Sequence, residues 1–203
     1  MSVTTATIIT KVRGLIKDLQ KTDGRDAFEY DTDSSFSLSE SYVESSGMAV
    51  YQNGTAMSTD DWAYNSSTNK VTITPITSGV SLTKEDNIII TYSYYEKYSD
   101  AEITSYIGAN LTRFTQKKYK KTFYLNGSDE VVALNSENPT VEEGDIIAVI
   151  TAIDIDPQNI NIRIGNDFTI SATENKSKSE LINEALGVFM RNFGIVDFLE
   201  DEA

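Results

Sequence analysis

The stretch that decides the fold runs from Glu85 to Tyr119, EDNIIITYSYYEKYSDAEITSYIGANLTRFTQKKY. Its first part, Asn87 to Tyr95, is dense in β-branched and aromatic residues, which predicts a strand. Ser99-Asp-Ala-Glu102 then has the form of a capping box. An apolar stripe at helical spacing follows it, made by Ile103, Ile107, Leu111 and Phe114. The hydrophobic period therefore changes from strand to helix within a few residues, and the rest of the chain is organised on either side of this change.

The residues from Ala27 to Tyr95 have the pattern of an all-β module. Short alternating runs are separated by turn residues roughly every ten positions, and Asn53-Gly54 is a strong signal for a two-residue hairpin turn. The pattern predicts five or six short strands in a small antiparallel sandwich or barrel. Trp62 and Tyr64 have two interpretations, a platform that stacks on carbohydrate and a part of the core. We favour the core, because so small a module contains a single Trp.

The N-terminal segment from Ala6 to Gln20 predicts a short amphipathic helix. Its apolar stripe at helical spacing consists of Ile8, Val12, Leu15, Ile16 and Leu19. The remaining face carries Lys11, Arg13, Lys17 and Asp18. These basic residues have two interpretations, a patch for DNA and a solvated face opposite the core. We expect the solvated face.

Two further helices are predicted after the stretch quoted above. Thr140-Val-Glu-Glu143 is a second capping box, and we interpret Asp145 to Asp154 behind it as a helix that Pro157 ends. By propensity this run also suits a buried strand. Ser177-Lys-Ser-Glu180 is a third capping box, and it opens a last amphipathic helix that ends near Gly194.

The segments between these helices differ in pattern. Phe123 to Pro139 is polar and rich in Asn and Ser, which predicts a loop. Asn159 to Ser171 alternates on both sides of a turn, which predicts a hairpin. The predicted fold class is α+β, with a helical body of about four helices and a β-hairpin from residues 1–26 and 96–203. The antiparallel β module of residues 27–95 is inserted into that body.

Composition excludes several classes of function. The 203 residues include 31 acidic and 17 basic side chains, for a formal net charge of −14, which repels phosphate backbones. His and Cys are both absent, so Ser-His-Asp and Cys-His nucleophile systems and the common zinc sites are excluded. No apolar run approaches the roughly 20 residues of a membrane span, so we expect a protein that is made in a cytoplasm and has no membrane partner.

Scattered carboxylates are the remaining candidates for chemistry. Asp154 and Asp156 have two interpretations, a catalytic pair and polar residues at the end of an element, and we expect the second. Asp60, Asp61 and Asp86 lack the spacing of a dedicated calcium loop, and we interpret them as turn residues. The expected protein is not an enzyme and has no catalytic residue, cofactor or metal.

Two stretches are candidates for binding a partner. Lys117, Lys118, Lys120 and Lys121 form the only basic cluster of this acidic chain. Lysines in a last turn complement the helix dipole, and four together also suit an acidic surface or a phosphate backbone. The end of the chain, Ile195 to Ala203, sets Ile195, Val196, Phe198 and Leu199 beside acidic residues. Such a segment either frays or docks onto another chain.

The order of these parts resembles the head-tail connector proteins of tailed bacteriophages, the adaptors beneath the portal. The residues that carry the resemblance are Lys11-Val-Arg13, Lys17-Asp18, Val50-Tyr-Gln-Asn-Gly54, Thr91-Tyr-Ser-Tyr-Tyr95 and Ser99-Asp-Ala-Glu-Ile103. The later helix, hairpin and closing helix are similar to the rest of that family's helical body.

This resemblance implies a structural virion protein at the head-tail interface. The family forms a ring, usually of twelve copies, between the portal protein and tail or stopper proteins, and DNA passes through its centre without specific binding. The eight candidate residues of the two stretches above are then expected to contact the portal or a neighbouring copy. An alternative is a tail or surface module of a virion that recognises glycans or protein through its β half.

Overall fold

A computed structural model describes residues 2–75, 81–158, 161–164, 168–171 and 176–193. The chain divides into two compact units, one formed by Met1–Lys17 with Asp100–Ala203 and the other by Asp18–Ser99. The described residues form four helices and several antiparallel sheets, so the predicted mixed α+β class is confirmed. Within the described part, no helix is both long and apolar enough to cross a membrane.

The unit Asp18–Ser99 is built from seven strands. They are β1 (Lys21–Glu29), β2 (Ser35–Ser37), β3 (Val43–Gln52), β4 (Thr55–Ala56), β5 (Trp62–Asn65), β6 (Lys70–Ile73) and β7 (Asn87–Tyr94). One sheet has the order β1-β7-β3-β4 and the other the order β2-β6-β5, and every pair of neighbours is antiparallel. The predicted strand in the quoted stretch is β7, which lies between two long strands.

Both sheets of this unit contribute to one hydrophobic cluster. Val50, Ile88 and Ile90 of the first sheet and Val71 and Ile73 of the second are almost fully buried. Partly buried side chains pack against the cluster, and they include Phe28, Met57, Trp62, Tyr64 and Tyr94. The interpretation of Trp62 and Tyr64 as core residues is confirmed.

The turn at Asn53-Gly54 has the predicted geometry. Asn53 and Gly54 have φ of 49° and 83°, and both values are positive, as a type I′ turn requires. Gln52 pairs with Thr55 across it. By contrast, β1 begins at Lys21, ahead of the β pattern that starts at Ala27. Its first half, Lys-Thr-Asp-Gly-Arg, is too polar to signal a strand, and it forms one because it lies at a sheet edge against β7.

The other unit contains the four helices. They are α1 (Thr5–Ile16), α2 (Asp100–Gln116), α3 (Val141–Ile155) and α4 (Lys178–Phe193). The strands β8 (Phe123–Leu125) and β9 (Val131–Ala133) form one hairpin, and β10 (Asn161–Ile164) and β11 (Phe168–Ser171) form another. The helix α3 lies against α1, α2 and α4 and is therefore the centre of this unit.

The run Asp145–Asp154 is a helix, which resolves the helix-or-strand ambiguity as predicted. The capping box is formed, because Glu143 N donates to Thr140 Oγ1 at 3.3 Å and Thr140 N donates to Glu143 Oε2 at 2.8 Å. The helix ends at Ile155, just before Pro157. Burial is not confined to one face, because Ile147, Ala148, Thr151 and Ala152 are buried as well as Ile146, Val149, Ile150 and Ile153. A helix that is apolar on all sides belongs in a core.

Two predictions about the first helix are wrong. The helix α1 ends at Ile16, where Lys17 adopts the left-handed conformation, and Leu19 is 63% exposed instead of continuing the apolar stripe. The face predicted to be solvated is partly buried. Arg13 is 4% exposed and its Nη2 donates to Asp100 Oδ1 at 2.7 Å. In the β unit, Asp18 is 2% exposed and its Oδ1 accepts from Lys97 N at 3.2 Å.

The predicted loop Phe123–Pro139 is also wrong, because it contains the hairpin β8–β9. Phe123 pairs with Ala133 and Leu125 with Val131 on either side of the Asn126-Gly127 turn. Thr5 Oγ1 accepts from Val131 N at 2.7 Å. The two strands have three residues each, Phe-Tyr-Leu and Val-Val-Ala, which is too short to show a periodic signal within a segment that is otherwise polar.

The two elements predicted near the C-terminus are confirmed. Strands β10 and β11 pair in antiparallel register, with Ile162 opposite Ile170. At the third capping box, Ser177 N donates to Glu180 Oε2 at 2.7 Å and Glu180 N to Ser177 Oγ at 3.3 Å. Helix α4 begins directly behind it and ends at Phe193, beside the predicted stop at Gly194.

Candidate partner-binding site

The basic cluster lies just beyond the end of α2, not in its last turn. The helix ends at Gln116, and Arg113 is the basic residue of the last turn. Lys118 adopts the left-handed conformation with φ of 56°. Lys118 N donates to Thr115 O and Tyr119 N to Phe114 O, both at 3.0 Å. These two bonds form a Schellman motif, which fixes the backbone that carries the lysines.

An aromatic cluster anchors the same turn to the interior. The ring of Tyr119 lies 5.6 Å from Phe114 and 5.5 Å from Phe189 of α4, measured between centroids. Phe114 in turn contacts Phe123 of β8 at 5.4 Å. In a Schellman motif the residue after the left-handed position usually packs against the residue whose carbonyl it binds, and here these residues are Tyr119 and Phe114. Tyr119 therefore anchors the turn to the interior, while the neighbouring Lys118 and Lys120 are exposed.

The carboxylate of Glu143, which is 2% exposed, holds the turn from the other side. Its Oε1 accepts from the Tyr119 hydroxyl at 2.8 Å and from Lys121 Nζ at 3.1 Å, while its Oε2 accepts from Thr140 N. Burial raises the pKa of Tyr119 well above its usual value, and the hydrogen bond to the Glu143 carboxylate raises it further. The buried carboxylate of Glu143 thus caps α3 and also binds Tyr119 and Lys121 in the segment that follows α2.

This geometry divides the four predicted lysines into two groups. Lys121 is partly buried and paired with Glu143, so its role is structural. Lys117, Lys118 and Lys120 are exposed. The structure shows no ion pair for these three with any other described residue. They form the exposed part of the candidate site.

Two exposed apolar side chains lie on the hairpin that follows the lysines. Leu134 is 73% exposed and Tyr124 is 39% exposed. Leu134 N donates to Thr122 O at 3.1 Å, so this residue lies beside the segment that leaves Lys121. No sequence pattern predicts these two exposed side chains, because the pattern of Phe123–Pro139 indicates a loop.

The second predicted set, Ile195, Val196, Phe198 and Leu199, lies outside the described residues. Its interaction with a portal or a neighbouring copy therefore stays a prediction.

Two of the carboxylates considered for chemistry, Asp154 and Asp86, have partners of a structural kind. Asp154 Oδ1 pairs with Lys178 at 2.7 Å and its Oδ2 accepts from Asn110 Nδ2 at 2.9 Å, which links α3 to α4 and α2. Asp86 accepts from Asn53, Gln52 and Thr83 N, as expected of a turn residue. Among the residues that the structure describes, no group of three or more His, Cys, Asp or Glu is placed to hold a metal ion.

No family model matches the chain, and no curated protein matches it.

Proposed function

We propose that this chain is a structural virion protein, a head-tail connector that forms a ring beneath the portal and joins capsid to tail. The observation that carries the proposal is the order of parts. A helical unit made from both ends of the chain is interrupted between α1 and α2 by a separate β unit, Asp18–Ser99. This is the arrangement of the connector family that the sequence resembles.

The net charge of the chain supports a ring that surrounds DNA rather than a protein that binds DNA. A net charge of −14 repels the phosphate backbone, so a ring of such copies lets DNA pass without holding it. The repulsion also sets a requirement, because copies of an acidic chain repel one another. A ring therefore needs local contacts between opposite charges or between apolar side chains.

Two surfaces supply such contacts in the proposal. Lys117, Lys118 and Lys120 are exposed on a fixed turn, as described above. The segment Ile195–Ala203 carries four apolar side chains, which gain from burial in a portal or an adjacent copy. The β unit contributes contacts rather than chemistry.

The test is assembly on the cognate portal, observed by electron microscopy. Full-length protein mixed with purified portal is expected to add a second ring to the portal particles, and a chain lacking Ile195–Ala203 is expected not to. Leu19→Ser is the control, because it removes an exposed apolar side chain elsewhere. Full assembly by the shortened chain refutes the role of the segment. Failure of the full-length chain to bind portal refutes the connector function.

A further inference from the structure

We propose that Lys117, Lys118, Lys120, Tyr124 and Leu134 form one docking surface, and that its occupant is the C-terminal segment 195–203 of a second copy of this chain. The inference rests on the ring of copies proposed above and identifies the contact between them. We call these five residues the basic-apolar surface.

The register of the hairpin places the apolar part of this surface together. Tyr124 pairs with Val132, and Leu134 directly follows the end of β9 at Ala133. Leu134 N donates to Thr122 O at 3.1 Å, and Thr122 is two residues before Tyr124, so the exposed side chains of Leu134 and Tyr124 belong to neighbouring positions of the backbone. The bond from Leu134 N to Thr122 O places this pair two residues after Lys120 in the direction of the chain.

The basic part of the surface is held before any partner arrives. The Schellman bonds fix the backbone of Lys118 and Tyr119, and the Tyr119 hydroxyl is bound to Glu143. A preformed backbone loses little conformational entropy on binding. The binding free energy from the lysines is therefore not reduced by a cost of ordering the turn.

The segment 195–203 matches this surface in both kinds of chemistry. Its sequence, IVDFLEDEA, combines the apolar residues Ile195, Val196, Phe198 and Leu199 with the acidic residues Asp197, Glu200, Asp201 and Glu202. Three exposed lysines beside exposed Leu and Tyr are the complement of that pattern. Elsewhere the net charge of −14 makes copies repel, so a basic site is where an acidic segment of another copy is attracted.

The test exchanges the charges of the two sides. One full-length variant carries Lys117→Glu, Lys118→Glu and Lys120→Glu, and a second carries Asp197→Lys, Glu200→Lys and Glu202→Lys. Sedimentation velocity at increasing concentration measures self-association of each variant alone and of the two mixed. Each variant alone is expected to associate at least about tenfold more weakly than the wild type, and the mixture is expected to recover. Unchanged far-UV circular dichroism shows that both variants fold.

A third variant controls for the change in total charge. Lys21→Glu, Lys70→Glu and Lys84→Glu reverse three exposed lysines of the β unit, and they are expected to leave association within about twofold of the wild type. An equal loss in this control overturns the proposal, and so does wild-type association in the first two variants. A single chain that carries both sets of reversals gives a further comparison. If self-association recovers in that chain but not in the mixture, the contact lies within one copy, and the proposal is overturned.

The outcome is separable from that of the proposed function. If the charge reversals change self-association but the protein does not bind portals, this inference is supported and the connector function is refuted. If the wild-type chain binds portals but is monomeric by itself at every concentration tested, this inference is refuted and the connector function is supported.

Discussion

The hydroxyl group of Tyr119 donates a hydrogen bond to the Glu143 carboxylate at 2.8 Å, across 24 positions of sequence. The bond joins the segment that leaves α2 to the first turn of α3, and it places a buried charge between Tyr119, Lys121 and Thr140. The exposed lysines of the basic-apolar surface are therefore supported by the same carboxylate that caps the central helix.

Replacing Tyr119 by Phe is expected to lower the free energy of unfolding of the helical unit by about 1–2 kcal/mol. The ring contacts remain, but a buried carboxylate loses one of its donors. Urea unfolding followed by far-UV circular dichroism measures the change. Tyr124→Phe is the matched control, because Tyr124 is 39% exposed, and its change should stay within about 0.5 kcal/mol. Equal stability of the two variants would contradict the role of the bond.

Asp86 is expected to make the β unit sensitive to acid. Hydrogen bonds from Thr83 N and the Asn53 side chain lower its pKa from 3.8 to about 2. A carboxyl group whose pKa is lower in the folded state stabilises fully above its unfolded pKa, and this contribution is lost as the pH falls from about 4 to about 2. Asp86→Asn should therefore be less stable than the wild type at pH 7, and the difference should shrink towards pH 2.

Trp62 provides the measurement for that comparison. It is the only Trp of the chain and packs against the core of the β unit, so its fluorescence follows unfolding of this unit. Urea titrations at pH 7, 4 and 2 give the two stabilities. Asp60→Asn, at an exposed position of the same unit, is the control. A difference between Asp86→Asn and the wild type that stays constant over this range would disprove the linkage.

Gly144 and Gly14 are expected to respond to alanine with opposite signs. A Cβ at Gly144 would overlap Val3 Cγ2, whereas one at Gly14 meets nothing within 4 Å. Gly14→Ala should stabilise α1 by about 0.5–1 kcal/mol, since Ala has the higher helix propensity. Gly144→Ala should destabilise by at least about 1 kcal/mol despite the same propensity gain. Thermal unfolding of both variants decides, and a gain at Gly144 would show that Val3 moves aside easily.

Thr151 is fully buried in α3, and its Oγ1 has no hydrogen-bond partner in the described part of the chain. Thr151→Val keeps the shape of the side chain and removes the unsatisfied hydroxyl, so the free energy of unfolding should rise by about 1 kcal/mol. Urea unfolding measures it. Thr112→Val, on the exposed face of α2, should change stability by less than about 0.5 kcal/mol. A loss of stability at Thr151 would mean that the hydroxyl is satisfied after all.

Local patterns predicted much of this fold. The capping box at Thr140, the Asn53-Gly54 turn and the apolar stripe through Ile103 depend on residues close in sequence, and all three are found. What sequence could not predict depends on distant partners. The buried Arg13 has an ion-pair partner in Asp100, and the buried Asp18 accepts from Lys97 N, and both partners are distant in sequence.

The candidate site shows the same division. The lysines are conspicuous in the sequence, but their separation into one structural and three exposed residues depends on Glu143, which is 22 positions from Lys121. The exposure of Leu134 depends on the pairing of β8 with β9. No local pattern of residues contains either fact.

The first and last strands of the β unit are neighbours, with Lys21 paired to Tyr94. The chain thus enters and leaves this unit side by side, which is the arrangement that lets a folded cassette be exchanged as a whole. A protein engineer could therefore replace the whole unit with another domain that has adjacent ends, or graft a reporter at the same junction, while keeping the four helices.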